Sequence, residues 1–503
     1  GEYRKALDFH QQALALRRRM ADRRGEGESL MNIGSAYRGL GQLDDALRHY
    51  EQGRAILAEV RDHRAEAVAL ERIGSLYAER SDYEKAVDNL ERALPLARAA
   101  SDRRNQSAVL NALGTVHHLL GDHRRALAFF NQALPLSAAI ADRSGQADLQ
   151  LNIGATYDAT GQTAPAIAAY RAALGLYREL RMPQGEAVAL NNLGRALLVA
   201  GNRPEAETNL RQALEIETRI ADPRNQSYTA ALLGRVSRES GKPAESRDFS
   251  MRALSLAQQV GDPRAEAAAL QQLALTARAA GQVRPAVFYA KLAVNTVQGI
   301  RSRNRGLSQD LRESYARRNQ EVYRLLASLL IEQGRLPEAQ QATNLLKQEE
   351  YVEFTRRDAN RPAGLAGRAD LTSEESAWAA RYREASERLV GAGARYSELT
   401  ARRQRTAQED QELVRIEKDL EAGNQAFRRV LDELARQLPS KSPAAGLPLK
   451  DIEAFGSDLA DLPEGTVAIY TIAGDEKLQT ILVTPNVRRA YAYPIPSAEL
   501  DRT

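Results

Sequence analysis

LMNIGSAYRGLGQLDDALRHYEQGRAILAEV, residues 30–60, decides how this 503-residue chain folds. Apolar and small residues fall at helical spacing on both sides of Gly41, the pattern of two antiparallel helices joined by a tight turn. Outward from this stretch the pattern recurs, and a recurrence at fixed period outranks every other sequence signal. Gly34, Gly74, Gly114, Gly154, Gly194 and Gly234 repeat every 40 residues, and Ala274 takes the next place. The same step runs through Gly1, Gly41, Ser81, Gly121, Gly161, Gly201, Gly241 and Gly281, and through Ala6, Ala46, Ala86, Ala126, Ala166, Ala206, Ser246 and Ala286. Asp22, Asp62, Asp102, Asp142, Asp222 and Asp262 follow it too, with only Met182 breaking the row. Gly1 therefore stands inside the second half of a repeat, and a first half is expected ahead of it.

Each unit reads as a helical hairpin. Small residues at the Gly34 and Ala46 places let two helix backbones approach closely, where a larger side chain would push them apart. Asp222-Pro223 and Asp262-Pro263 read as an N-cap followed by proline at the first helical position.

Composition narrows the function. The chain has 70 basic and 66 acidic side chains, a formal net charge of +4, no cysteine and one tryptophan. A disulfide scaffold, a zinc finger and any cysteine-nucleophile mechanism are excluded for these residues. Zero cysteines suits cytosol and periplasm alike; the cytoplasm is favoured. The longest apolar runs, such as Leu325 to Ile331, fall far short of the roughly 20 residues that span a bilayer. Neither a signal peptide nor a cofactor is expected.

The residues resemble the tetratricopeptide repeat (TPR) family. Ile33-Gly34-x-x-Tyr37, Ala46 twelve residues past the glycine, then Tyr50 and Gly53 keep that family's spacings, and Leu113-Gly114, Ala126, Phe130 and Ala133 repeat them. The 40-residue unit is similar to the longer variant found in kinesin light chains. The resemblance covers roughly residues 1–300 and implies a right-handed α-solenoid, a superhelix whose concave wall, lined by the first helix of each unit, takes peptides or partner helices. A degenerate hairpin follows at 301–350, where Gly334 and Ala339 keep the five-residue offset after an insertion of about 13 residues.

A helical wheel identifies the wall residues. With Leu113 and Gly114 facing the neighbouring helix, positions 111, 112, 115 and 118 face away. Across the units this selects Asn32, Arg72, Asn111, His118, Asn152, Asn191, Asn192, Arg195, Arg235, Arg238, Gln272 and Arg278. Asparagine can both donate to and accept from a peptide backbone, and arginine can fork onto carboxylates, so a polar, partly acidic peptide is the expected partner. His117 takes the place of Tyr37, Tyr77 and Tyr157 and reads as a packed core residue. His117, His118 and His123 lack the spacing of a helical zinc pair, so no metal site is expected. Arg301, Arg303, Arg305, Arg312, Arg317 and Arg318 form the densest basic stretch, read as a solvated linker or interhelix face, which leaves nucleic acid a weak alternative.

The last third changes character. Residues 351–438, above all Thr372 to Leu438, read as a long helical hairpin breaking near Gly391 to Gly393 and anchored by Trp378. Residues 439–464 read as a proline-punctuated linker with a short helical piece around Asp451 to Phe455. Val467 to Ala473, Leu478 to Thr484 and Val487 to Tyr493 alternate as three strands of an antiparallel meander, turning at Gly474-Asp475 and Pro485-Asn486. A three-stranded sheet needs a cover: the preceding helices, or further chain.

Leu462-Pro463-Glu464-Gly465-Thr466, the Tyr470 strand, the strand ending Val483-Thr484, Tyr493-Pro494-Ile495 and Ser497-Ala498-Glu499-Leu500 resemble the opening of a CHAT domain, a caspase-like family found behind TPR arrays. In that family a downstream His–Cys pair attacks a peptide carbonyl. This chain has no cysteine and no histidine after His123, so no catalytic residue carries over. The leading expectation is a partner-binding arm of a bacterial-type TPR–CHAT protein. A non-catalytic TPR adaptor is the alternative, and a component of a nucleic-acid-guided complex the weakest.

Overall fold

The computed structural model describes residues 2–80, 82–303, 309–351, 367–400, 405–438, 467–473, 477–484 and 488–495. The linker at 439–464, the turns at 474–475 and 485–486, and the flanks 462–466 and 496–500 of the CHAT-like stretch lie outside them, as do the side chains of 301–319. Among the described residues there are nineteen helices and three strands. In chain order the helices are α1 (Glu2–Arg19), α2 (Arg23–Gly39), α3 (Leu43–Glu59), α4 (His63–Glu79), α5 (Tyr83–Ala99), α6 (Arg103–Leu119), α7 (His123–Ala139), α8 (Arg143–Ala159), α9 (Thr163–Glu179) and α10 (Pro183–Val199). There follow α11 (Arg203–Arg219), α12 (Pro223–Glu239), α13 (Pro243–Val260), α14 (Pro263–Ala279), α15 (Val283–Arg303), α16 (Gln309–Glu332), α17 (Leu336–Tyr351), α18 (Ser373–Thr400) and α19 (Ala407–Gln437). Strands β1 (Ala468–Ala473), β2 (Leu478–Val483) and β3 (Arg488–Tyr493) close the sequence of elements.

The elements form a TPR-type α-solenoid with a C-terminal helical hairpin and a small antiparallel sheet. The chain divides into two compact units: residues 1–221 with 400–407, and residues 222–399 with 408–503.

Small residues set the packing inside each repeat. A Cβ on Gly114 would stand 2.5 Å from the Phe130 ring, and one on Gly34 would stand 2.5 Å from the Tyr50 ring. The residue sixteen places on thus occupies the volume the glycine leaves. Where Ala274 replaces the glycine, the partner position holds the small Ala290, and both are fully buried.

Turns and caps follow the same register. The aspartate of each row caps its first helix: Asp62 accepts from the Ala65 amide at 3.0 Å and Asp102 from the Asn105 amide at 3.2 Å. The same carboxylates tie neighbouring repeats, since Arg24 pairs with Asp62 at 2.8 Å and Arg64 with Asp102 at 2.7 Å. At Met182 the helix has no side-chain cap, and the arginine place one repeat earlier is Ser144.

In the second unit the degenerate repeat turns at Gly334, where φ is +69°, and Ala339 is buried as expected. The sheet runs in the order β1-β2-β3, all antiparallel, with Tyr470 opposite Ile481 and Ile481 opposite Ala490. Tyr470, Ile472, Ile481 and Val483 point into the core, and Gln340 of α17 donates to the Tyr470 hydroxyl at 3.0 Å. Helices α16 and α17 therefore cover one face; Ile469, Tyr491 and Tyr493 stay exposed on the other.

The hairpin α18–α19 is antiparallel: Arg395 meets Glu412, Tyr382 meets Phe427 and Arg381 meets Glu433. Trp378 is buried in it, with the Arg381 guanidinium 4.4 Å above its ring. The expected break near Gly391 to Gly393 is corrected, because α18 runs through both glycines to Thr400. Gly393 is a contact glycine: a Cβ there would come within 1.8 Å of the Gln259 carbonyl oxygen of α13. Sequence alone cannot distinguish a helix-breaking glycine from one that admits a neighbouring backbone.

Candidate functional wall of the first helices

The wall begins with helix geometry. Each first helix buries one stripe against its own second helix and leaves the opposite face open. In the first unit α4, α6, α8 and α10 touch in series, and in the second α12 touches α14. Consecutive second helices approach each other less, so the first helices stand on the inside of each unit's curve.

Of the selected residues of the first unit, Arg72, Asn152, His118 and Arg195 reach a side chain of a neighbouring repeat, and one such pair, Asn111 with Asn152, joins two selected residues. Asn32 is exposed at its start. Arg72 donates to Ser35 Oγ at 2.9 Å, and Ser35 Oγ stands 3.1 Å from the Tyr50 hydroxyl. Asn152 Nδ2 donates to Asn111 Oδ1 at 2.9 Å, and one turn on Thr156 Oγ1 meets His118 Nδ1 at 3.0 Å. Arg195 pairs with Asp158. Asn191 and Asn192 lie half-buried beside it on α10.

The second unit carries the rest. Arg235 Nε donates to Glu239 at 2.8 Å, and Arg238 reaches the same carboxylate at 3.4 Å. Gln272 is half-buried on α14, and Arg278 pairs with Glu332 of α16.

The charge of the wall differs from a bare basic surface. Arg38 pairs with Glu79, Arg195 with Asp158, Arg235 and Arg238 with Glu239, and Arg278 with Glu332. Sequence reasoning passed over Ser35, Arg38, Glu71, Ser75 and Asp158, although all occupy the selected wheel positions; weighting basic and amide side chains hid the carboxylates Glu71 and Asp158, but does not account for Arg38. Burial raises the Glu71 pKa against the opposing pull of a hydrogen bond from Ser75 and the charges of Arg72 and Arg38. Burial, with His123 adding a smaller push, lowers His118, which favours the neutral ring that meets Thr156. Burial also lowers Arg238, opposed by Glu239.

His117 is buried and stacks on Phe129 at 5.3 Å, the packed place expected for it. Among the described residues no group of three or more His, Asp and Glu stands where it could hold a metal ion. No helix among them is long and apolar enough to cross a membrane.

The tetratricopeptide repeat family model matches residues 1–59, 65–139, 145–219 and 185–254. The repeats are a tetratricopeptide array, the class of scaffold through which proteins bind other proteins. No curated protein matches the chain. Solved structures similar to it include a STAND signal-transduction ATPase with a TPR sensor from Pyrococcus horikoshii, at 14% identity and TM-score 0.48, covering 69% of this chain and 53% of that one. The apo quorum sensor NprR from B. thuringiensis is similar at 16% identity and TM-score 0.48, covering 69% and 99%. BtubC (BKLC) from P. vanneervenii is similar at 18% identity and TM-score 0.40, covering 44% and 93%.

Proposed function

We propose that the chain is a protein-interaction scaffold that holds an extended peptide segment of a partner against the wall of first helices, mainly through its asparagines. The Asn111–Asn152 pair carries this reading. Its mutual hydrogen bond uses one donor and one acceptor, and each amide keeps further capacity for the carbonyl and N–H of a passing peptide bond. Because the wall arginines other than Arg72 are paired with carboxylates, the peptide is read by its backbone more than by acidic side chains. An acidic peptide requires the arginines to exchange partners.

The test is a peptide-array profile of the whole chain against a variant with Asn111, Asn152, Asn191 and Asn192 changed to Ala. Loss of most binding with an unchanged melting curve supports the wall. An unchanged profile removes it. A profile restricted to acidic peptides, weakening steeply with salt, restores the acidic expectation.

A second reading is favoured by the meander, whose three strands stand where the sequence placed them. In it residues 465–503 open a CHAT-like domain, and partner binding to the array gates a caspase-like cysteine peptidase. The thiol must then come from sequence beyond these residues. Reading the native coding sequence past Thr503 tests it: a His followed by a Cys supports the gated peptidase, and a stop codon leaves the scaffold alone.

A further inference from the structure

In the second unit a short non-helical segment, Gly367 to Thr372, lies against α15 and α17 as an extended peptide lies in a binding groove. Its side chains alternate. Gly367 faces Leu345, where a Cβ would come within 2.8 Å of that side chain; Ala369 is 4% exposed; Leu371 packs against the core. Arg368 and Asp370 between them point to solvent. Inward positions at a spacing of two are the signature of an extended strand read by successive pockets.

The backbone is gripped by side chains instead of by a sheet. Asn295 of α15 donates to the Ala369 carbonyl at 3.0 Å and accepts from the Ala369 amide at 2.8 Å. Gln341 of α17 accepts from the Asp370 amide at 3.3 Å and donates to the Asp370 carboxylate at 2.9 Å. Lys291 of α15 donates to the Asp370 carbonyl at 2.5 Å. Beyond Thr372, Glu375 enters a buried pocket and meets Lys291 at 2.8 Å and Arg335 at 2.9 Å. Two amide side chains and a lysine thus satisfy the N–H and C=O of two consecutive residues, and the inward positions read Gly-x-Ala-x-Leu.

We infer that the α15–α17 groove is a peptide-recognition site occupied in cis by residues 367–372, and that an extended segment of the same pattern from a partner protein competes for it. The site is separate from the wall of first helices, so it stands or falls independently of the function proposed above. Tethering gives the cis segment an effective concentration of roughly millimolar, so a partner segment gains access only when the tethered one is weakened or outcompeted.

The experiment uses the whole chain and a fluorescent peptide with the sequence of residues 367–378. In Ala369→Arg the large charged side chain no longer fits the pocket, and the labelled peptide is expected to bind about tenfold or more tighter than to the unaltered chain. Adding Asn295→Ala to that variant should abolish the gain. Equal binding by the unaltered chain and a folded Ala369→Arg variant overturns the inference. Hydrogen exchange covers the case in which Ala369→Arg fails to fold. In Asn295→Ala the amides of Ala369 and Asp370 should lose protection while those of α18 keep theirs. Loss of protection across α18 together with the segment would make it an ordinary part of the core and overturn the inference.

Discussion

Two kinds of seam hold this molecule together. Inside a repeat such as α6–α7 the seam is local and small-for-large: Gly114 takes the Phe130 ring. Where the hairpin α18–α19 meets α13, α14, α15 and α17 it is long-range: Leu389, Phe427 and Leu431 share one apolar core with Leu254 and Phe288, and a set of buried polar and charged groups is embedded in it. Lys291, Arg335, Glu338 and Glu375 bury four charges there, Gln258 donates to the Tyr382 hydroxyl at 2.8 Å, and Tyr382 donates to Glu266 at 2.8 Å. Apolar local seams gain free energy from burial and tolerate many equivalent pairings. A buried charge cluster costs desolvation that only correct geometry offsets, so it specifies one docking and penalises every other.

The largest expected effect therefore lies at the charged seam. Glu375→Gln leaves Lys291 and Arg335 short of a carboxylate, and the second unit should lose about 3–5 kcal/mol, read by chemical denaturation. A loss under 1 kcal/mol would mean that water reaches the cluster and that the two seams do not differ as argued. Acid should reach the same seam. Burial pushes the Glu375 pKa up, but Lys291 and Arg335 outweigh it and hold the carboxyl below its ordinary 4.5. Its stabilisation is fully present above that ordinary value and is lost as pH falls through the depressed one. Acid unfolding followed by hydrogen exchange should show the α18 N-terminus opening in that window, and Glu375→Gln should remove this contribution.

The small-for-large seam yields a smaller effect with a built-in control. Gly114→Ala should cost about 1–3 kcal/mol by overpacking, and nearly nothing in a Phe130→Ala background, where the pair copies Ala274 with Ala290. Equal costs in both backgrounds would show that the glycine is there for another reason. Next comes the cap: Asp102→Ala should cost about 1 kcal/mol. The smallest is a gain. Met182→Asp with Ser144→Arg rebuilds at the break the aspartate row found elsewhere, and should stabilise the first unit by about 0.5–1 kcal/mol. No change in melting temperature would show that Pro183 already compensates for the missing cap.

Legibility divides along the same line. The caps at Asp222 and Asp262, the packed His117 and the three strands all follow from neighbours close in sequence. Of the wall, the pairing of its charges was not legible. A wheel places Arg195 on the open face but does not pair it with Asp158 of the preceding repeat. Gly391 and Gly393 were misleading for the same reason, since a glycine carries no mark of which backbone approaches it.

The sequence by itself determined the 40-residue hairpin, its turns and its caps, because each of these depends on contacts within one period. Only the tertiary structure decided that Lys291 meets Glu375 across 84 positions, that Asn295 holds Ala369, and that α16 and α17 cover the sheet. Those contacts join segments with no shared period, and the free energy of a buried ion pair or a gripped backbone depends on distance and burial that no local pattern records.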